Sequence, residues 1–294
     1  VSVFQGGILD TLSTACYISR NHMFPTALHE SSKRLLNLHA VAPRTARYVA
    51  NIPKWLLTQG IVLLHFERLL DNSAPPLTIA SLLNLLKSYN VKAVSKNTAV
   101  SHLVEMRMYG LLGDDMTSQS KRSRPLILAD VGETLVRKWF EGHLHSLDHL
   151  DGGDRFATLS EKPELLHRSH PLAIRTLLRE RAWSEPPESI ATFVWVESGS
   201  NILHDLFLRV PPTLDLPERI WVGPVTASNI TSNYIISRSH GQRLIARARE
   251  LELLGWERPG NGGSMWISRE LIDAYRLWQA YKYAAIKSAW AVTG

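Results

Sequence analysis

Apolar side chains recur at three- to four-residue spacing along most of this chain, the pattern that places them on one face of an α-helix. A long run of this kind extends from about Thr45, just after Pro43, to Leu70. It stops at Asp71-Asn72-Ser73-Ala74-Pro75-Pro76, so it predicts one long helix with a kink at Pro53. Thr78 is placed to cap a helix through Lys87, and Ser95 to cap another through Tyr109, with Gly110 or Gly113 near its end. The pattern then changes. Asp114–Arg124 is polar and Pro125–Leu128 is a short apolar run, which together predict a hairpin with a flexible tip. Asp130 next caps a helix over Val131 to about Leu147, with Leu135, Trp139 and Leu144 on one side.

The same order returns in the second half. Glu188–Leu208 predicts a long helix, Pro217 a break, and Gly223-Pro224 a short helix with proline at its first position. Ser237–Leu253 predicts a further helix, Trp256–Ile267 a hairpin, and Arg269 to about Trp290 the closing helix. A shift of 142 residues pairs Leu64 with Leu206, Ser95-Lys96 with Ser237-Arg238, Arg107 with Arg249, and Leu111-Leu112-Gly113 with Leu253-Leu254-Gly255. Shortening the second copy by three residues beyond that point also pairs Ile127 with Trp266, Arg137 with Arg276 and Trp139 with Trp278. The chain therefore reads as an internal duplication, 1–150 and 151–294, joined at the flexible run Asp151-Gly152-Gly153-Asp154. Leu9–Leu38 and Glu161–Trp183, which open each copy, look helical.

Composition narrows the function classes. With 294 residues there is enough chain for two cores, and the balance of 33 Lys and Arg against 27 Asp and Glu is mildly basic. The excess is concentrated in residues 1–142, net +6, whereas 143–294 is neutral, so the first half is expected to grip phosphate harder. The single cysteine, Cys16, excludes a disulfide framework and a Cys-rich zinc site, and fits a reducing compartment. Apolar runs such as Ile61–Leu64 and Tyr283–Ile286 fall far short of the roughly 20 residues a membrane span needs. Without a basic and then apolar leader in Val1–Asp10, a soluble cytoplasmic protein is the expectation.

Helix, helix, turn, helix, hairpin and closing helix is the layout of a winged helix-turn-helix, whose second motif helix enters a DNA major groove. In the first copy, Asp114-Asp115 and Lys121-Arg122-Ser123-Arg124 precede Leu126-Ile127-Leu128-Ala129-Asp130-Val131-Gly132-Glu133-Thr134-Leu135. This segment resembles the wing of the MarR family, with Ala129 where the family pattern has threonine. The resemblance covers Thr45–Leu147 closely and Glu188–Trp290 only through its alignment to the first copy, where the glycine has become Leu271. It implies a mainly α fold with small β wings: two tandem winged modules on one chain, with long helices making a pseudo-two-fold interface. A dimer fused in this way makes engagement of the second DNA half-site intramolecular.

Under that resemblance the DNA-reading candidates in the first copy are Lys96, Asn97, Thr98, Ser101 and His102, with Leu103 and Val104 turned to the core. In the second copy they are Arg238, Ser239, His240, Arg243 and Arg247. Asn can read adenine and Arg can read guanine through bidentate pairs. Lys121, Arg122 and Arg124 at the wing tip suit phosphates or a narrow minor groove. An ordinary solvated helix face or a loose basic loop accounts for any one of these residues as well.

Other chemistry competes with this reading. His143, His145, Asp148 and His149 have metal-ligand spacing, but a polar helix end running into the Asp-Gly-Gly-Asp turn explains them, and no metal or other cofactor is expected. His167 and His170 are less specific, and Cys16 reads as a small packed residue. No Walker loop, nucleophile elbow or His-Glu-x-x-His is present, so catalysis is not expected. Tyr48, Trp55, Phe66, Phe193, Trp195 and Phe207 either line a pocket for a small apolar effector, as MarR-like proteins do, or simply fill the core. The expected partner is double-stranded DNA, with no membrane. A tandem winged-helix protein scaffold of the chromosome-segregation kind and a plasmid replication initiator are the alternative readings.

Overall fold

The computed structural model describes residues 6–41, 43, 49–92, 94–117, 124–259 and 262–294, with side chains described from residue 11. The chain is mainly helical with small antiparallel sheets. By contact it forms two units assembled from alternating stretches: Val1–Ile52 with Glu185–Ala284, and Pro53–Ser184 with Ala285–Gly294. These units cut the chain differently from the repeat halves 1–150 and 151–294. The Asp151–Asp154 run, expected as a linker, lies inside one unit. There Arg155 clamps Asp148 and Asp151 at 2.8 and 2.7 Å.

The unit containing Pro53–Ser184 is built on α3 (Ile52–Leu70), which follows α1 (Gly6–Arg20) and α2 (Phe24–Val41) of the other unit in sequence. Leu56, Ile61, Leu63 and Phe66 of α3 are fully buried. The short α4 (Ile79–Ser88) and α5 (Lys96–Met108) pack Leu82, Leu86, Leu103 and Met106 into the same core. Thr78 and Ser95 start these helices, each accepting a hydrogen bond from the third backbone N–H, which satisfies a donor the helix cannot. The strands β1 (Leu112–Asp114) and β2 (Leu126–Leu128) pair antiparallel, Leu112 opposite Leu128. They lead into α6 (Asp130–Asp151), which begins one residue earlier than the pattern indicated, with Ala129 rather than Asp130 at the cap and Asp130 in the first turn. A Cβ at Gly132 would lie 2.8 Å from the Leu111 carbonyl oxygen and 2.7 Å from Leu128 Cδ1, so glycine lets α6 start directly against the hairpin. Then α7 (Arg155–Glu161), α8 (Leu165–Arg179) and α9 (Arg181–Ser184) follow, and Ala285–Gly294 from the end of the chain joins the same unit. Arg175 of α8 reaches Glu67 of α3 at 2.6 Å and the Tyr89 hydroxyl at 2.8 Å.

In the other unit, the helix expected over Glu188–Leu208 is two helices, α10 (Glu188–Val194) and α11 (Gly199–Leu208), separated at Ser198, whose φ is 59°. The first long helix is also shorter than expected: it begins at Ile52, beside Pro53, and residues 44–48 lie outside the described residues. The strand β3 (Arg219–Gly223) precedes α12 (Ala227–Thr231), which Thr226 caps. This corrects the expected helix at Gly223-Pro224, since Gly223 at φ 84° instead ends a strand. Next come α13 (Arg238–Glu250), β4 (Leu254–Arg258), β5 (Gly262–Ser268) and α14 (Arg269–Thr293). The sheet order is β3-β5-β4, all antiparallel. The helices α2 and α11 pack together, with Tyr275 of α14 hydrogen-bonded to Ser32 and His204.

For one helix and the hairpin after it, the sequence offset holds. Both α5 and α13 are 13 residues long, and they start and end 142 positions apart. The hairpin pairs Leu112–Leu128 and Gly113–Ile127 recur as Leu254–Ile267 and Gly255–Trp266. After each long helix the chain enters the left-handed region, at Gly110 (φ 69°) and Glu252 (φ 53°). Only glycine is at ease there. Glu252→Gly is therefore expected to raise stability by about 1 kcal/mol, read from the urea midpoint of the full chain; an unchanged or lower midpoint contradicts this.

Candidate nucleic-acid interface

Helix α5 buries Ala99, His102, Leu103 and Met106, one stripe at helical spacing, and this decides which candidates reach solvent. Lys96, Asn97, Thr98 and Ser101 are exposed. His102 is not: it is 2% exposed, with its Nε2 2.9 Å from Thr58 Oγ1. Burial, aided by nearby Lys54, pushes its imidazole down to about 3. His102 is thus corrected from a DNA-facing residue to a neutral core histidine. Val104 moves the other way, 52% exposed rather than in the core. With Met108, 79% exposed and one turn on, it gives this helix an apolar outer edge. Residue type misled here and spacing did not, because positions 99, 102, 103 and 106 already mark the inner face.

Helix α13 follows the same geometry, burying Gly241, Leu244, Ile245 and Ala248 and exposing Arg238, Ser239, His240 and Arg243. Ser237 caps it and also meets His240 Nδ1 at 2.8 Å. Among the described residues no ion pair engages Arg238 or Arg243. Arg247 is different. It is hydrogen-bonded to Glu188 of α10 and to Glu250, and these bonds raise its guanidinium above the ordinary value. Its charge is already answered within the unit. On the first hairpin Arg124 is exposed, and Lys121 and Arg122 lie outside the described residues. The hairpin of the other unit presents Arg258, with Gly260 and Asn261 likewise outside the described residues.

Half-chain charge therefore misjudges local charge. The neutral second half puts two unpaired guanidinium groups on its exposed helix, and α5 of the basic first half puts only Lys96 in the matching stretch, Arg107 being paired with Asp114 at 2.8 Å. The sequence held this signal in the Arg238 and Arg243 spacing.

The histidines and aromatics weighed as other chemistry have these surroundings. His143 is buried and its Nδ1 donates to the Trp139 carbonyl at 2.7 Å. The His145 and His149 rings lie 4.7 Å apart, and Asp148 is held by Arg155 and the Phe156 N–H. Among the described residues no group of three His, Cys, Asp or Glu side chains is arranged to hold a metal ion. His167 bonds Glu133 at 2.9 Å and His170 bonds Gln59 at 2.7 Å. Trp55, Phe66, Phe193 and Phe207 are core residues, Trp55 against Trp183, whereas Trp195 is 43% exposed and Tyr48 lies outside the described residues. Cys16 is half-buried at the edge of a surface cavity of about 620 Å³ that Tyr17, Arg20 and His22 also line. Among the described residues no helix is long and apolar enough to cross a membrane.

Set against known proteins, the chain matches no family model, no curated protein and no solved structure.

Proposed function

We propose that this chain is a sequence-specific, double-stranded DNA-binding regulator with two MarR-like winged modules, a pseudodimer fused into one polypeptide. One observation carries the reading. Twice, a serine-capped 13-residue helix with an exposed polar amino-terminal half stands beside an antiparallel hairpin, in the same register. That is the chemistry a major groove selects: Asn97 for adenine, Arg243 or Arg238 for guanine, with Thr98, Ser101, Ser239 and His240 for base edges or phosphates. Arg124 at the first hairpin, with Lys121 and Arg122, suits phosphate or minor groove. Because the exposed residues of α5 and α13 differ, the operator is an imperfect palindrome, its half-sites about one helical turn apart. The Arg-bearing helix α13 dominates base recognition.

Selection from a random duplex library tests this, followed by titration of the selected site at two salt concentrations. Arg243→Ala is expected to lose about 1–3 kcal/mol on the selected site and to relax one base position, leaving non-specific DNA nearly untouched. Arg124→Ala is expected to weaken all sequences alike and to flatten the salt slope by about one charge. A library that yields no enriched site sinks the proposal, as do equal losses for both variants on every sequence.

The exposed Val104 and Met108 edge of α5 favours a second reading, a scaffold that docks a protein through this helix. Under it, Val104→Asp leaves DNA binding unchanged, whereas a base-contacting α5 loses affinity through the thymine methyl contacts that Val104 can make.

A further inference from the structure

The two hairpins differ at one edge. In the unit that contains it, β5 is covered by β3: Ile267 lies opposite Ile220, and the Arg269 N–H donates to the Glu218 carbonyl at 3.0 Å. In that ladder the Ile267 N–H points to β3, because the next amide, Ser268, donates to Leu253 on the β4 side. The first hairpin is built in the same register, with the Ala129 N–H donating to the Leu111 carbonyl. Its outer edge, however, meets a single bridge, Leu77 to Leu126, among the described residues. The Leu128 amide, equivalent to that of Ile267, would then lack a backbone acceptor. It donates instead to Nδ1 of His65 on α3, at 3.3 Å, in a site where both residues are more than 90% buried. At the matching position of the other copy, 142 residues on, stands Phe207, which has no acceptor.

We propose that His65 is the positioning residue of the first hairpin, its ring nitrogen standing in for the absent third strand, and that protonation of this nitrogen releases β2 in the first copy alone. Only an unprotonated Nδ1 can accept from an amide, and a proton there would set two N–H groups against each other. The groups around the ring are Glu133 of α6, paired with His167 of α8 at 2.9 Å and with Arg137 at 3.6 Å, and His170 of α8, whose ring shares Phe66 with those of His65 and His167. Burial holds the His65 imidazole below its ordinary value, and the His167 ring acts in the same direction against the Glu133 carboxylate. Acid thus reaches this latch below neutrality, where protonation of His65 also adds charge beside the Glu133–His167 pair.

In the DNA-binding reading the latch sets the angle of the hairpin that carries Arg124; that consequence rests on the reading, but the latch does not. The test is amide exchange of the full chain by NMR at pH 7.5 and 5.5, corrected for intrinsic rates. Leu63 monitors global opening of the same unit, and Ile267 monitors the strand-covered edge. The protection of Leu128 is expected to fall by about tenfold or more at pH 5.5 through local opening of the hairpin, a loss tied to His65, whereas the fall at Leu63 and Ile267 follows the acid loss of global stability and does not depend on His65. His65→Gln, an acceptor that does not titrate, should keep Leu128 protected at both pH values; His65→Phe, the residue of the other copy, should leave it unprotected at both. Protection of Leu128 that is independent of pH in the parent chain overturns the proposal, as does a pH-dependent loss in His65→Gln that exceeds the loss at Leu63. If the exchange behaves as expected while Arg124→Ala leaves DNA affinity unchanged, the latch stands and the DNA role of this hairpin falls.

Discussion

Between pH 6.5 and 4.5 the chain is expected to lose most of its stability, and the unit built on α3 should go first. That unit buries His102 and His170; the other buries His204. Each accepts or shares one hydrogen bond, with Thr58, Gln59 and Tyr275 respectively, and burial pushes each imidazole from 6.5 down to about 3. Lys54 adds to the shift at His102, His167 at His170, and Lys282 at His204. The unfolded chain takes up these protons as pH falls through about 6.5, and the folded chain refuses them until about 3. Within that window the unfolded state binds more protons, so stability rises with pH. The contribution is complete above 6.5 and is lost as pH drops. At pH 4.5 His102 and His170 together cost about 5 kcal/mol, of the order of a whole domain's margin. Circular dichroism followed against pH should give an acid midpoint between about pH 4 and 5.5. His102→Asn, which keeps a partner for Thr58 without titrating, should move that midpoint to lower pH. A parent chain still fully folded at pH 4, or a variant whose midpoint is unmoved, would contradict this account.

Gly199→Ala is expected to be among the most damaging methyl additions in the molecule, costing about 3–5 kcal/mol. Between Val194 and Gly199 the chain passes through Ser198 in the left-handed region, and α11 starts hard against the end of α10. A Cβ on residue 199 would fall onto the Phe193 carbonyl oxygen and lie 2.7 Å from its carbonyl carbon. Both are backbone atoms, so no rotamer change relieves the clash. The two helices must separate, and Ser198 Oγ, which donates to the Ile235 carbonyl at 2.9 Å, goes with them. Gly110→Ala is the matched control: glycine there has φ 69° and nothing within 4 Å of a Cβ, so only the backbone strain of about 1–2 kcal/mol applies. Urea denaturation of the two variants decides the point. Losses of equal size would mean that the Phe193 contact yields easily and that the explanation is wrong.

Much of this architecture is legible in the amino-acid order because it is locally caused. Thr78, Ser95 and Ser237 name the helix starts, since a side-chain oxygen there satisfies an amide that the helix leaves open. The polar stretch after Asp114 and the apolar run Leu126–Leu128 announce the first hairpin, and the offset announces the second, although both first strands begin two residues earlier than the pattern indicated, at Leu112 and Leu254, and their register came only from the structure. The candidate site was legible to the same depth, because helical spacing alone separates Asn97 and Arg243 from Leu103 and Leu244.

What local pattern does not contain is where a polar group finds its partner. His102 looks like a surface residue until Thr58, 44 positions earlier, meets it in the core. Arg247 looks like a free reader until Glu188, 59 positions earlier, takes it. Gly199 stands beside the break at Ser198, but only its closeness to Phe193 in the fold shows why, and His65 gains its role only because the outer edge of β2 lacks, among the described residues, a strand that β5 has. Sequence by itself therefore marked most of the helices and the caps at Thr78, Ser95 and Ser237, which depend on neighbours within a few positions, but not β3, the break at Ser198 or the cap at Ala129. Tertiary structure decided which charges remain unanswered, which histidines stay neutral and which segments join in each unit, because those depend on desolvation and pairing across many residues of chain.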